Sequence, residues 1–167
     1  MSNGEKNLHT LSVYVANKPG ALARIAQVFA RRGFNIESLV VSPAIDGHFS
    51  RMTIGSSGAP EGLDQIIKQV SKLIDVLHCI DHTYDKSVVK EMALIKIAVS
   101  AEERSEALQI AEHFGCKTVD LTPESMILQV VGDSSKIDAL EEMINQFRII
   151  ELVRTGKVVM SRGQKST

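Results

Sequence analysis

The chain has 167 residues, 19 of them basic and 20 acidic, so it offers no basic field to draw it to nucleic acid or an anionic membrane. Hydrophobic residues at 44% and charged residues at 23% are globular proportions, while 4% aromatics and no Trp leave an aliphatic core and no platform for stacking bases. Two cysteines, Cys79 and Cys116, read as free thiols of a reducing compartment; Met1–Asn7 is polar and no run of about 18 apolar residues occurs, so a cytoplasmic protein is expected.

Residues 9–17 alternate Leu11, Val13 and Val15 with Ser12, Tyr14 and Ala16, the period of a strand. Pro19 is expected to open a helix faced by Leu22, Ile25, Ala26 and Phe29, which Gly33 ends. Residues 35–45 and 48–56 flank Asp46-Gly47, a hairpin signal, and Gly55-Ser56-Ser57-Gly58 reads as the loop that follows. Pro60 opens a helix faced by Leu63, Ile66, Ile67, Val70 and Ile74, and Val76–Tyr84 is a fourth strand. The order β-α-β-β-α-β is that of the ferredoxin-like motif.

The order then repeats. Met92–Val99 is a strand, and Ser100 with Glu103 forms a capping box ahead of Ala107, Ile110, Ala111 and Phe114. Residues 116–122 and 125–132 are strands turning near Pro123. A helix faced by Ile137, Leu140, Ile144 and Phe147 follows, then a strand over 148–161 broken at Gly156. The sequence therefore predicts an α+β protein of two tandem ferredoxin-like domains, 8–84 and 91–163, with a linker at 85–90. A domain this small buries only about 60% of its unfolded surface, so dimerisation is expected.

No nucleophile–base set, metal-ligand spacing or phosphate loop stands out. His78 and His82, four residues apart on a strand, lie roughly 13 Å from each other, too far to chelate one ion, and read with Ile80 as a half-solvated face. Cys116 follows a helix C-terminus, where the dipole disfavours a thiolate. Strand 48–56 lacks the basic and aromatic pattern of an RNA-binding sheet. The informative segment is Asn17-Lys18-Pro19-Gly20-Ala21-Leu22. Gly20 permits close approach, the first-turn N–H groups of Ala21 and Leu22 favour a carboxylate, and Asn17 both donates and accepts. Asn35 has the same dual capability. Helix capping by Asn17 and a turn role for Asn35 also account for these residues.

Asn17-Lys18-Pro19-Gly20-Ala21-Leu22, followed by Arg31-Arg32-Gly33-Phe34-Asn35-Ile36-Glu37-Ser38-Leu39 and Ser50-Arg51-Met52-Thr53-Ile54, resembles the ACT domain of acetolactate (acetohydroxyacid) synthase small subunits. Glu91-Met92-Ala93-Leu94-Ile95-Lys96, Arg154-Thr155-Gly156 and Ser161-Arg162-Gly163 resemble the C-terminal domain of the same family. The resemblance implies a regulatory subunit without catalytic residues. Its partner would be the large subunit, which carries thiamine diphosphate, magnesium and FAD and condenses two pyruvates to acetolactate and carbon dioxide in branched-chain amino-acid synthesis. The small subunit would activate that partner and confer feedback inhibition by valine. Family ACT domains pair side by side, which implies a homodimer. The effector would lie between Asn17, Gly20, Ala21 and Leu22 of one protomer and Asn35 and Ile36 of its partner. The alternative is a stand-alone ACT-domain sensor of another pathway.

Overall fold

The computed structural model describes residues 7–167; the rest of the polar N-terminal stretch lies outside the described residues. In chain order the elements are β1 (Leu8–Ala16), α1 (Ala21–Arg31), β2 (Asn35–Pro43), β3 (Phe49–Ser57), α2 (Pro60–Ser71) and β4 (Val76–Asp81). They continue with β5 (Val88–Ala98), α3 (Arg104–His113), β6 (Lys117–Leu121), β7 (Ser125–Gly132), α4 (Ser134–Ile144), β8 (Arg148–Arg154) and β9 (Val158–Met160). Each βαββαβ half makes one antiparallel sheet, ordered β2-β3-β1-β4 in the first and β6-β7-β5-β8 in the second. This is the expected α+β pair of ferredoxin-like folds. The last predicted strand is broken around Gly156, whose φ of +87° suits glycine alone.

The chain divides into two compact units: residues up to Val89 together with Gly156–Thr167, and Lys90–Thr155. The second unit is inserted in the chain of the first. Two boundaries therefore differ from the sequence reading: β5 begins at Val88, inside the expected linker 85–90, and residues 156–163 group with the first unit instead of the C-terminal domain. The return is permitted by small residues. A Cβ on Gly156 would stand 2.5 Å from Ser38 Cβ, so only glycine lets the backbone lie against β2 there.

In the first unit the period-two set Leu11, Val13 and Val15 packs with Met52 and Ile54 against Ile25 and Phe29 of α1 and Ile66 and Val70 of α2. The opposite face of that sheet is polar, with Thr10, Ser12 and Thr53, yet it too is buried. The C-terminal segment returns over it: Val159 is buried, and Arg51 Nη1 donates to Thr167 O (3.2 Å). In the second unit Ala93, Ile95, Ile97, Met126, Leu128 and Val130 meet Ala107, Ile110, Ile137, Leu140 and Ile144 of α3 and α4.

Several local expectations change. Gly55–Ser57 belongs to β3 and is not a loop; Gly55 faces Ser38, whose Oγ would lie 2.4 Å from a Cβ there. The glycine that looked like loop composition makes room for a cross-strand neighbour. Gly58 likewise clears space for the buried Phe34 ring. His82 is buried, not half-solvated. Its Nδ1 donates to Asp85 Oδ2 (2.5 Å), whose carboxyl is held below the usual range chiefly by Ser87, and its Nε2 accepts from Ser12 Oγ (2.8 Å). This Ser–His–Asp chain is a clasp between β1 and the exit of β4. Ser12 is 1% exposed, so no substrate can reach it.

Candidate effector site

The site forms where β1 hands over to α1. Pro19 does not open the helix as expected; Gly20 is its N-cap, at φ +85°, and Pro19 shapes the preceding turn. Gly20 has no side chain to cap with, so the first-turn donors are left to other partners. Ala21 N–H turns back to Lys18 O at 3.4 Å, and the first intrahelical bond runs from Arg24 N–H to Gly20 O (3.1 Å). The N–H groups of Gly20 and Leu22 therefore carry the positive end of the α1 dipole.

Asn17 does not cap the helix. Its Nδ2 donates to Gly47 O (3.0 Å) and its backbone N–H to His48 O (2.8 Å), which ties the loop to the β2–β3 hairpin. The amide oxygen of Asn17 is left as an acceptor. Asn17, Gly20, Ala21 and Leu22 line one cavity of about 260 Å³, which Val41, Ser50 and Met52 complete with apolar and hydroxyl wall. Four of the six residues singled out from sequence are thus brought together.

Asn35 and Ile36 are elsewhere in the protomer. They begin β2, opposite Ser57 and Ser56, whereas Val41 at the cavity lies opposite Met52, six residues or roughly 20 Å further along the strand. Asn35 is exposed and Ile36 packs partly into the core. Among the described residues β2 pairs with β3 alone, which leaves its other edge open within them.

The loop is braced by residues the sequence did not advertise. Asp75, before β4, accepts from Lys18 Nζ (2.5 Å) and forms a second ion pair with Arg24 of α1. Lys18, then Arg24, hold the Asp75 carboxyl below its ordinary range. A lowered carboxyl contributes stability above the unfolded value near about 4 and loses it as pH falls below that. No spacing in the sequence links Asp75 to Lys18, because the sheet order β1-β4 is what joins them. Cys79 and Cys116 are free and half-buried; burial, helped by Asp81, pushes the Cys79 thiol up to about 12, and burial raises that of Cys116.

An αL glycine at an uncapped helix start, over a small mixed cavity in a ferredoxin-like half, defines an ACT-type domain. The family model for the AHAS small subunit-like ACT domain matches residues 11–78, and that for the small subunit of acetolactate synthase matches residues 90–163. The probable acetolactate synthase small subunit of Archaeoglobus fulgidus is 43% identical over 157 residues, 94% of this chain and 98% of its own. The acetolactate synthase small subunit of Mycobacterium bovis is 42% identical, covering 94% of each chain. The solved acetolactate synthase small subunit of Thermotoga maritima superposes with a TM-score of 0.83 at 36% identity, over 95% of this chain and 99% of that one. The chain belongs to the acetolactate synthase small-subunit family: it is a regulatory subunit, and its partner is the catalytic large subunit.

Proposed function

We propose that this chain raises the activity of the acetolactate synthase large subunit and makes it sensitive to valine, bound between two copies of the first unit. The observation that carries the reading is the uncapped start of α1 at Gly20 over the 260 Å³ cavity. Two first-turn N–H groups suit a carboxylate, and the spare oxygen of Asn17 suits an ammonium. The walls from Val41 and Met52 suit a short branched side chain.

The open edge of β2 supplies the second half. If two copies of β2 pair antiparallel about Leu39, Asn35 and Ile36 of one protomer lie against Pro43 and Ser42 of the other, beside the cavity that Val41 lines. That arrangement also covers two exposed edges. Valine would then favour one arrangement of the dimer through differential affinity and shift it away from the activating one. Thiamine diphosphate, magnesium and FAD belong to the large subunit in this reading, the condensation of pyruvate happens there, and the complex works in the cytoplasm on branched-chain amino-acid synthesis.

The test is an assay of the cognate large subunit with and without this chain, across a valine titration. Faster turnover that valine suppresses is expected. Gly20→Asp should keep the activation and lose the suppression, since a carboxylate at Gly20 would occupy the ligand's place beside Arg24, whose Nη1 lies 3.0 Å from a Cβ there. Equal turnover with and without the chain would refute the activation, and full valine sensitivity of a folded Gly20→Asp subunit would place the effector elsewhere.

A further inference from the structure

We propose that the first unit carries a second ligand site, on the helix-free face of its sheet, for a small carboxylate with an apolar body. Successive residues of a strand face opposite ways. The strands that give Val41 and Met52 to the cavity beside Gly20 therefore give Val40, Ser42, Arg51 and Thr53 to the other side. There, with Tyr14 of β1, they floor a cavity of about 490 Å³. The register sets Ser42, Arg51 and Tyr14 in one row and Val40 beside Thr53 in the next. The chain returning after Gly156 contributes Val159 and Met160 to the lining, and the β2–β3 hairpin contributes Pro43 and Ile45. The volume is nearly twice the 260 Å³ of the cavity beside Gly20 and falls in the range of about 300–1,000 Å³ that holds small molecules.

The polar groups select the ligand. Of the residues lining this cavity, Arg51 is the cation and Asp46 the anion. Asp46 Oδ1 already accepts from His48 N–H (3.0 Å) in the hairpin turn. Arg51 donates from Nη1 to Thr167 O (3.2 Å), and its Cζ lies 5.5 Å from the centre of the Tyr14 ring. That ring is itself stacked on Phe49 and His78. The guanidinium is thus held in place, while its Nε and Nη2 have no hydrogen-bond partner among the described residues. Thr53 is 5% exposed, yet its hydroxyl also has no partner among the described residues. A polar group so deeply placed calls for one. Arg51 and Thr53 stand two residues apart on one face, roughly 7 Å along β3. A carboxylate spans them: its oxygens take the free side of the guanidinium fork and accept from the threonine hydroxyl. Val40, Pro43 and Val159 suit an apolar body. One cation with an anion at the same cavity disfavours a doubly charged phosphate. Burial, then the Arg51 charge, lowers the neighbouring His78 imidazole below its usual value, so it adds no second cation.

The test titrates the full chain with 4-methylpentanoate by calorimetry. Saturable binding is expected, one per protomer, at about millimolar concentration or below. The neutral 4-methylpentanamide and the Arg51→Met chain should each lose about tenfold or more, the worth of hydrogen bonds to a charged group, and Thr53→Val about tenfold. Ser42→Trp, at an exposed position, should fill the cavity and abolish binding. The amide and Ser42→Trp leave the buried floor untouched, so the test stands even where Arg51→Met fails to fold. Gly20→Asp should bind the probe as the wild type does, which separates this site from the valine reading. No saturable binding of the acid, an amide that binds as tightly, or undiminished binding by Ser42→Trp would overturn the proposal. Loss of binding in Gly20→Asp would overturn it too, by assigning the probe to the cavity beside Gly20. Inorganic phosphate that displaces the probe at equal concentration would overturn the carboxylate class.

Discussion

The two units share a topology and differ where each first helix begins. In the second unit the turn into α3 is closed by its own side chains. Ser100 N–H donates to Glu103 Oε2 (2.9 Å) and Glu103 N–H to Ser100 Oγ (3.2 Å); the Ser100 N–H, then its hydroxyl, hold the Glu103 carboxyl below its usual range. At α4, Asp133 Oδ1 accepts from Lys136 N–H (2.9 Å). In the first unit the equivalent turn ends in Gly20 and offers its donors to the cavity. One βαββαβ frame thus carries side-chain bonds at both helix entries in one copy and none in the other, where Gly20 precedes α1 and Ala59, ahead of Pro60, precedes α2. A binding role belongs to the copy that is not self-satisfied.

The largest expected effect sharpens the self-satisfied side of that contrast. Arg154 of β8 pairs with the buried Glu91 of β5, 5% exposed, and with Asp138 and Glu141 of α4. Arg154→Ala strands the Glu91 carboxylate and should destabilise the second unit by about 3 kcal/mol, read as a lower urea midpoint. A change within error would mean water replaces the guanidinium. Next comes Asn35→Ala, which should weaken valine binding by roughly ten- to a hundredfold, the worth of one to two hydrogen bonds to a charged group, with the urea midpoint unmoved because Asn35 is exposed. Ser100→Ala should cost about 1 kcal/mol of stability and leave valine binding alone; an altered affinity would break the division of labour between the units. The smallest effect is chemical. With its thiol at about 12, Cys79 should react with a thiol reagent at pH 8 on the order of a hundredfold more slowly than an ordinary exposed cysteine.

The sequence made the elements legible because their cores are strictly periodic: Leu11, Val13 and Val15 fall on one face, and the Ser100–Glu103 box forms as its spacing indicates. The loop residues of the candidate site were legible too, since a Gly before a helical face is a local signal. What was hidden is what tertiary contact alone decides. Gly156 looked like a break in one strand, yet it is where the chain returns to the first unit against Ser38. Asp75, which no local pattern singles out, anchors Lys18 and Arg24. His82 fitted a solvated face by period but is covered and hydrogen-bonded to Ser12.

The central claim is that one protomer's Gly20 loop and its partner's Asn35 make a shared effector site. It is tested most directly by mixing two dead subunits. Gly20→Asp and Asn35→Ala homodimers each carry a damaged half in both sites, so calorimetric titration with valine should show weak binding in each alone. A mixed dimer of the two places both lesions in one site and leaves the other intact. After subunit exchange, valine binding at wild-type affinity should reappear, with one site per mixed dimer. If the mixture binds no better than its components, the loop and the strand do not meet across the dimer, and the effector site proposed for this regulatory subunit is wrong.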